Sequence, residues 1–277
     1  MTADLVQTQK KVTTATGAAG PSGAPGREWF LGVQFTPATL RQAAQLIASR
    51  PAQAPFAFIL TPNAQHTVAA WRGDGFYREA NRRAWLVLND SSALRILARR
   101  LFGRVLPQTT GSDLTALLFE QHITPEDDIT IIGGGPEMVA RLRERFRLTR
   151  IAQYTPPMGL ARRPDEIARC VDFMAAHPAR YTFIVAGFPQ SEMVAMAAFA
   201  RGGLTGVALP VGSALNFLTG LVRRAPLWMR QANLEWLYRL AINPLGHARR
   251  VFIESFPILL IALAVRARRA AHAPGSS

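Results

Sequence analysis

Cysteine is almost missing from this sequence: Cys170 is the only one in 277 residues. No internal disulfide can form, as expected of a chain kept in a reducing compartment. Cys170 falls in the apolar-periodic stretch Ile167–Met174, where a small buried hydrophobe is the simpler reading than a nucleophile. Lysine is nearly absent too, at Lys10 and Lys11 only, so arginine carries almost all of a net charge of +14. No apolar run approaches the roughly 20 residues that a membrane-crossing helix needs. No Asp-x-Asp is present to hold a divalent ion against a diphosphate, and the five histidines are scattered without ligand spacing, so no metal site is expected. Neither G-x-G-x-x-G nor a P-loop occurs.

About half the residues are apolar, enough for one large globular domain or two small ones. The basic excess speaks of partners rather than of fold: nucleic acid, anionic lipid or phosphorylated substrates. Met1 to about Arg27 is rich in Thr, Ala, Gly, Pro and Ser. It lacks the apolar core of a secretory signal and is expected to be disordered.

From Trp29 onward, short apolar runs alternate with longer amphipathic ones. Strands are expected at Trp29–Val33, Phe56–Leu60, Trp85–Leu88, Ile129–Ile132, Arg150–Tyr154, Thr182–Ala186 and Gly206–Leu209. Helices are expected at Pro37–Ala48 (capped by Thr36), Ala64–Trp71 (capped by Asn63), Gly75–Asn81 (capped by Asp74), Ser92–Phe102 and Ser112–Gln121. Pro136–Phe146, Asp165–His177 and Gln190–Ala200 complete that series. The alternation predicts an α/β fold, Rossmann-like, with a mostly parallel sheet flanked by helices over residues 28–220. A helical, basic C-terminal appendage is expected over residues 221–277. Val211–Gly220 reads as a small-residue loop or short helix, Pro226–Ile242 as a long helix broken by Pro244, and a further segment runs to Arg269. Nine arginines against Glu235 and Glu254 give the stretch from Leu221 half of the total charge.

Ligands of parallel α/β sheets bind at the carboxyl ends of the strands. Four junctions lie there: Thr61-Pro62-Asn63, Asn89-Asp90-Ser91-Ser92, Gly133-Gly134-Gly135-Pro136 and Gly187-Phe188-Pro189-Gln190-Ser191-Glu192. Gly133, Gly134 and Gly135 let the backbone approach a phosphate at a helix N-terminus, or simply form a tight turn. Asp90 directly follows a strand, where it can serve as a general base or as a helix cap. Asp113 suits the first turn of its helix. In the tail, Arg223 to Arg239 mixes arginine with Trp and Tyr at helical spacing. The ten-residue apolar run Phe256–Val265, closed by Arg266, Arg268 and Arg269, is either a buried helix or a segment lying in a lipid interface.

These junctions, in this order, resemble the WecG/TagA/CpsF family of bacterial glycosyltransferases over roughly Trp29 to Arg250. The matching pieces are Thr61-Pro62-Asn63, Asp90 after its strand, Gly111-Ser112-Asp113-Leu114, Gly133-Gly134-Gly135, and Gly187-Phe188-Pro189 with Glu192. The longest and most distinctive is Arg224-Ala225-Pro226 through Leu234-Glu235-Trp236-Leu237-Tyr238-Arg239-Leu240. The resemblance implies an inverting transferase that needs neither metal nor cofactor. It would move a sugar from a UDP-sugar to a polyprenyl-diphosphate-linked saccharide, as a peripheral protein on the cytoplasmic face of the bacterial inner membrane. It implies Asp90 as base, with Thr61 in the same pocket. The donor would be held by Asn63, Asp113, Gly133, Gly134, Gly135, Gly187, Pro189, Ser191, Glu192 and Asn216. Arg224, Arg230 and Arg239 would meet the donor or lipid diphosphate. The sequence departs from the family's pattern at Asp90-Ser91 (Asp-Gly), Pro189-Gln190-Ser191-Glu192 (Pro-Lys-Gln-Glu) and Leu215-Asn216-Phe217 (Phe-Asp-Phe), which points to a different sugar specificity. Enzymes of exopolysaccharide assembly share the general character, so UDP-glucose is the expected donor, with an anionic membrane surface as a further partner and a homo-oligomer left open. The rival readings are a non-catalytic basic nucleotide- or nucleic-acid-binding protein and an NAD-dependent oxidoreductase. No nucleic-acid motif is present for the first, and no dinucleotide fingerprint for the second.

Overall fold

The computed structural model describes residues 25–242, 244, 253 and 255–271. The expectation of a disordered N-terminus falls on residues outside this range except at its last positions, where Arg27 is anchored. Its Nη1 donates to the carbonyl of Asn81 at 2.7 Å and its Nη2 to that of Ala84.

Glu28–Phe30 (β1) and Val33–Phe35 (β2) form an antiparallel hairpin where one strand was expected. Leu31 and Gly32 both have positive φ, 48° and 85°, the two-residue turn whose twist suits a hairpin. Leucine is a poor residue for that conformation, which hid the turn.

Ala57–Leu60 (β3), Leu86–Val87 (β4), Ile129–Gly133 (β5), Ile151–Tyr154 (β6), Tyr181–Val185 (β7) and Val207–Pro210 (β8) build one six-stranded sheet in the order β4-β3-β8-β7-β5-β6. Every pairing in it is parallel. The strands feed helices α1 (Leu40–Ser49), α2 (Ala64–Trp71), α3 (Gly75–Arg83), α4 (Ser92–Phe102), α5 (Gly111–Gln121), α6 (Pro136–Phe146), α7 (Pro164–Ala176) and α8 (Gln190–Arg201).

Alternation along the strands splits the core in two. Phe58, Leu60, Ile132, Ile184 and Ala208 face α2, α3, α4, α7 and α8, while Ile59, Leu86, Ile131, Phe183 and Leu209 face α1, α5 and α6. The α/β expectation holds.

Thr36 does not cap α1. Its backbone N–H donates to the Val87 carbonyl at 2.7 Å, and its Oγ1 accepts from the Val87 N–H at 3.1 Å, extending the sheet edge beside β4. The cap falls on Thr39, which pairs with Gln42 in a capping box. Asn63 and Asp74 cap α2 and α3 as expected, and Gly103 ends α4 in the left-handed conformation.

Past β8 come α9 (Ala214–Leu218), α10 (Leu227–Gln231), α11 (Glu235–Ile242) and α12 (Pro257–Ala271). The single helix expected over Pro226–Ile242 is two. Asn233 adopts φ 62°, and Arg95 Nη2 donates to its Oδ1 at 3.2 Å, fixing the break. Pro244, expected to break the helix, is itself helical, and residue 243 between it and α11 lies outside the described residues. The α12 helix docks Ile258, Ala262 and Val265 on α2 and α4, and leaves Phe256, Leu259, Leu260 and Leu263 exposed. No helix of the described residues is long and apolar enough to cross a membrane.

Candidate active site

A cleft of about 350 Å³ opens at the carboxyl ends of β3, β4, β7 and β8. Its wall contains Thr61, Asn63 and His66 after β3, Asp90 after β4, Gly111 and Ser112 at the start of α5, Gly187, Phe188, Ser191 and Glu192 after β7, and Val211, Gly212, Ser213 and Phe217 after β8. The sheet thus gathers four junctions far apart in sequence. It does so beside the start of α2, α5 and α8, where amide groups and helix dipoles favour an anion.

Asp90 was open to two readings, base or cap. The cap of α4 is Ser91, whose Oγ accepts from the Leu94 N–H at 3.2 Å. Asn89 braces the turn from the other side: its Oδ1 accepts from the Ser91 N–H at 2.9 Å and its carbonyl from the Thr109 N–H at 2.7 Å. The Asp90 N–H donates to the Pro62 carbonyl at 3.0 Å, tying the β4 junction to Thr61-Pro62-Asn63. Asp90 is therefore set on the cleft wall by a rigid backbone, and helix capping is done by its neighbour.

Thr61 approaches α5 closely. A Cβ on Gly111 would lie 3.2 Å from Thr61 Oγ1, so the missing side chain lets the helix start beside it. Ser191 Oγ donates to the Ala186 carbonyl at 2.5 Å, which satisfies the end of β7 and occupies the hydroxyl. The Phe188–Pro189 peptide is cis.

Glu192 is buried, and its Oε1 lies 3.5 Å from His66 Nε2. The other ring nitrogen, Nδ1, sits 2.9 Å from Asn63 Oδ1 and 3.3 Å from the Asn63 N–H. Phe188 and Tyr77 pack on the imidazole with ring centroids at 4.4 and 5.4 Å. Burial, reinforced by the Glu192 and Asp74 charges, pushes the Tyr77 phenol well above its ordinary value. The spacing of the five histidines does not single out His66. Its signal was positional: it is the third residue after the cap Asn63, on the cleft side of the junction.

Other expected site residues are elsewhere. Gly133, Gly134 and Gly135 do not line the cleft. They form the β5–α6 turn, with Gln153 Nε2 donating to the carbonyls of Gly133 and Gly135 at 3.0 and 3.2 Å, and Thr155 Oγ1 to that of Gly134 at 2.9 Å. The tight-turn reading accounts for Gly133, where a Cβ would meet the Val185 carbonyl at 2.5 Å. Pro189 leads into α8, and Asn216 is half-buried in α9 beside the cleft residue Phe217.

Asp113 also stands outside the cleft wall, as the hub of a charged cluster. Arg224 Nη1 donates to its Oδ1 at 2.6 Å, Arg230 Nη1 lies 3.4 Å from the same atom, and Thr110 Oγ1 donates to Oδ2 at 2.7 Å. Glu235 Oε2 is 3.6 Å from Arg224 Nη2. Burial opposes the charge of Asp113, but Arg224, Thr110 and Arg230 outweigh it and hold the carboxyl below its usual range. Burial likewise opposes the Arg224 charge, and Asp113, Glu235 and Asp90 outweigh it. Through Asp113 the cluster is fastened to the first turn of α5, whose opening residues Gly111 and Ser112 line the cleft. The Arg239 side chain lies outside the described residues.

Among the described residues, no group of three or more His, Cys, Asp or Glu gathers as a metal site. Burial, with Glu166 nearby, raises the Cys170 thiol to about 11, in keeping with a structural cysteine.

The chain is similar to two proteins named N-acetylglucosaminyldiphosphoundecaprenol N-acetyl-beta-D-mannosaminyltransferase. One, from Bacillus spizizenii strain W23, is 26% identical over 205 residues, covering 72% of this chain and 77% of that protein. The other, from Bacillus subtilis strain 168, is 23% identical over 209 residues, covering 74% and 79%. The pattern of the glycosyl transferase WecG/TagA/CpsF family matches residues 28–272, which span the hairpin, the sheet, the cleft and the arginine cluster, and the chain belongs to that family of glycosyltransferases.

Proposed function

We propose that the cleft binds a UDP-sugar and that Asp90 is the base of an inverting, metal-independent transfer to a polyprenyl-diphosphate-linked saccharide. The observation that carries this reading is the placement of Asp90 on the cleft wall with helix capping left to Ser91. The Asp90 carboxylate takes the proton of an acceptor hydroxyl. The oxygen attacks the anomeric carbon from the face opposite the diphosphate. The bond from that carbon to the diphosphate oxygen breaks, and UDP leaves with the electron pair. The amide-rich starts of α2, α5 and α8, with Arg224 and Arg230 beside them, suit the charge that develops on the leaving group. Arg239 belongs to the same segment. Thr61, Asn63, Gly187, Ser191 and Glu192 are the wall that fits the donor.

The relatives' names give an N-acetylmannosaminyl group as the sugar moved and N-acetylglucosaminyl-diphosphoundecaprenol as the acceptor. That puts UDP-N-acetylmannosamine ahead of the expected UDP-glucose as donor, with Ser191 and Asn216 as local departures that bear on the choice. The acceptor's lipid requires work at a membrane surface. The exposed Leu259, Leu260 and Leu263, next to Arg266, Arg268 and Arg269, form an apolar strip with cations that suits the anionic cytoplasmic face of a bacterial inner membrane.

The test is a donor panel of UDP-N-acetylmannosamine, UDP-glucose, UDP-glucuronate and GDP-mannose. Each is paired with a short polyprenyl-diphosphate glycan, with and without EDTA. Transfer from one UDP-sugar, insensitive to EDTA, is expected. Strong EDTA sensitivity contradicts the metal-free mechanism, and no transfer from any donor contradicts the assignment of the cleft.

A further inference from the structure

The transfer reaction as drawn uses Asp90 and the cations around the diphosphate; it places Glu192 on the donor wall without saying which part of the donor it meets, and gives its buried neighbour His66 no role. Glu192 is more than nine-tenths buried, its Oε1 lies 3.5 Å from His66 Nε2, and its Oε2 has no hydrogen-bond partner. His66 is equally buried, held by Asn63 at one nitrogen and packed between Phe188 and Tyr77. A buried carboxylate oxygen left without a donor is costly, and a native fold keeps such a group where a ligand completes it.

We propose that Glu192 accepts a hydrogen bond from a hydroxyl or acetamido N–H of the transferred sugar, and that His66 is the positioning residue that holds this carboxylate in place at the cleft wall. The proposal rests on the reading of the cleft as a nucleotide-sugar site.

Charge sets the pair away from the diphosphate, and position sets it at the sugar. A carboxylate repels a diphosphate, so Glu192 faces a neutral, donor-rich part of the ligand. His66 stands on the helix that Asn63 caps, one turn beyond Thr61, and Pro62 is bonded to Asp90, so the pair belongs to the wall where the anomeric carbon must sit for Asp90 to serve the attacking hydroxyl. The terminal torsion of a glutamate is soft, so a small turn presents one oxygen to a ligand while the other stays on His66.

Isothermal titration of the full chain with UDP alone, UDP-N-acetylmannosamine and UDP-glucose tests this. Glu192→Gln is isosteric and removes the charge. It is expected to weaken the preferred UDP-sugar at least tenfold and UDP less than twofold, so that UDP serves as the control for a native cleft. His66→Gln keeps a donor near the Nε2 position and is expected to stay within about threefold of wild type. His66→Asn, too short to reach, is expected to follow Glu192→Gln. If Glu192→Gln leaves UDP-sugar affinity unchanged, or weakens UDP and UDP-sugar by the same factor, Glu192 does not read the sugar. If both histidine variants lose the UDP-sugar equally, His66 does not act through its Nε2 donor. If wild type binds no uridine nucleotide at all, the reading of the cleft fails, and that outcome is distinct from the other two.

Discussion

Arg224 Nη1 bonds Asp113 Oδ1 at 2.6 Å, joining two residues 111 positions apart and fastening the C-terminal segment to the first turn of α5. The same carboxylate draws Arg230 to 3.4 Å, across the turn that ends α10. Two of the arginines that the family resemblance assigns to a diphosphate, Arg224 and Arg230, are thus collected by one acid in the first turn of α5, beside the cleft.

Asp113→Asn should lower stability at neutral pH by about 1 kcal/mol, or roughly 3 °C in Tm, a small value because the carboxylate is partly exposed. The sign of the pH dependence follows from the lowered pKa of Asp113. Its folded form ionises more readily than its unfolded form, so the stabilisation is complete above the ordinary carboxylate range and fades as pH falls through the lowered value. Melting curves from pH 7 to pH 3 should show the gap between wild type and variant closing toward acid. A gap independent of pH contradicts the ion-pair account.

The glycine turn after β5 separates fold from ligand contact. Gly133→Ala places a Cβ 2.5 Å from the Val185 carbonyl at φ 98°, and should cost about 2–4 kcal/mol by chemical denaturation. Gly135 has open space and φ −112°, so Gly135→Ala should be neutral in the same assay. Equal destabilisation by the two would contradict the geometry.

On α12 the docked and exposed faces make different predictions. Removing the helix uncovers the α2 and α4 surface that Ile258, Ala262 and Val265 cover, so a truncation confuses membrane binding with folding. The double substitution Leu260→Glu, Leu263→Glu acts on the outer face alone. Flotation with vesicles rich in phosphatidylglycerol should fall at least tenfold while Tm moves by less than about 2 °C. Unchanged flotation contradicts the interfacial role.

Cys170 should resist iodoacetamide at pH 8 in the folded protein, since a thiol titrating near 11 is about one part in a thousand thiolate there, and react fully in denaturant. Rapid alkylation of the native chain contradicts its burial.

The strands and most caps were legible in the sequence because they rest on local rules. Apolar runs two faces deep mark buried parallel strands, and Asn63, Asp74 and Gly103 carry their end signals in their own side chains. Three local features were not legible. The Leu31-Gly32 hairpin turn uses leucine in a left-handed conformation, the Thr36 hydroxyl answers Val87 across the sheet, and the break at Asn233 depends on Arg95 from α4. The last two are settled by partners distant in the chain, the first by a leucine in a conformation it rarely adopts. The site shows the same division. The strand-end rule brought Thr61, Asn63, Asp90, Gly187, Ser191 and Glu192 to one cleft. Sequence spacing did not reveal that Asp113 binds the tail arginines, nor that His66 faces Glu192.

The assignment of Asp90 as the general base is central, and Asp90→Asn tests it most directly. The substitution preserves shape, and Ser91 keeps the cap of α4. Transfer from the preferred UDP-sugar to a polyprenyl-diphosphate glycan should fall about 10²–10⁴-fold, the usual weight of a general base. Binding of that UDP-sugar should stay within about threefold of wild type. A variant that keeps more than a tenth of the transfer rate contradicts the account.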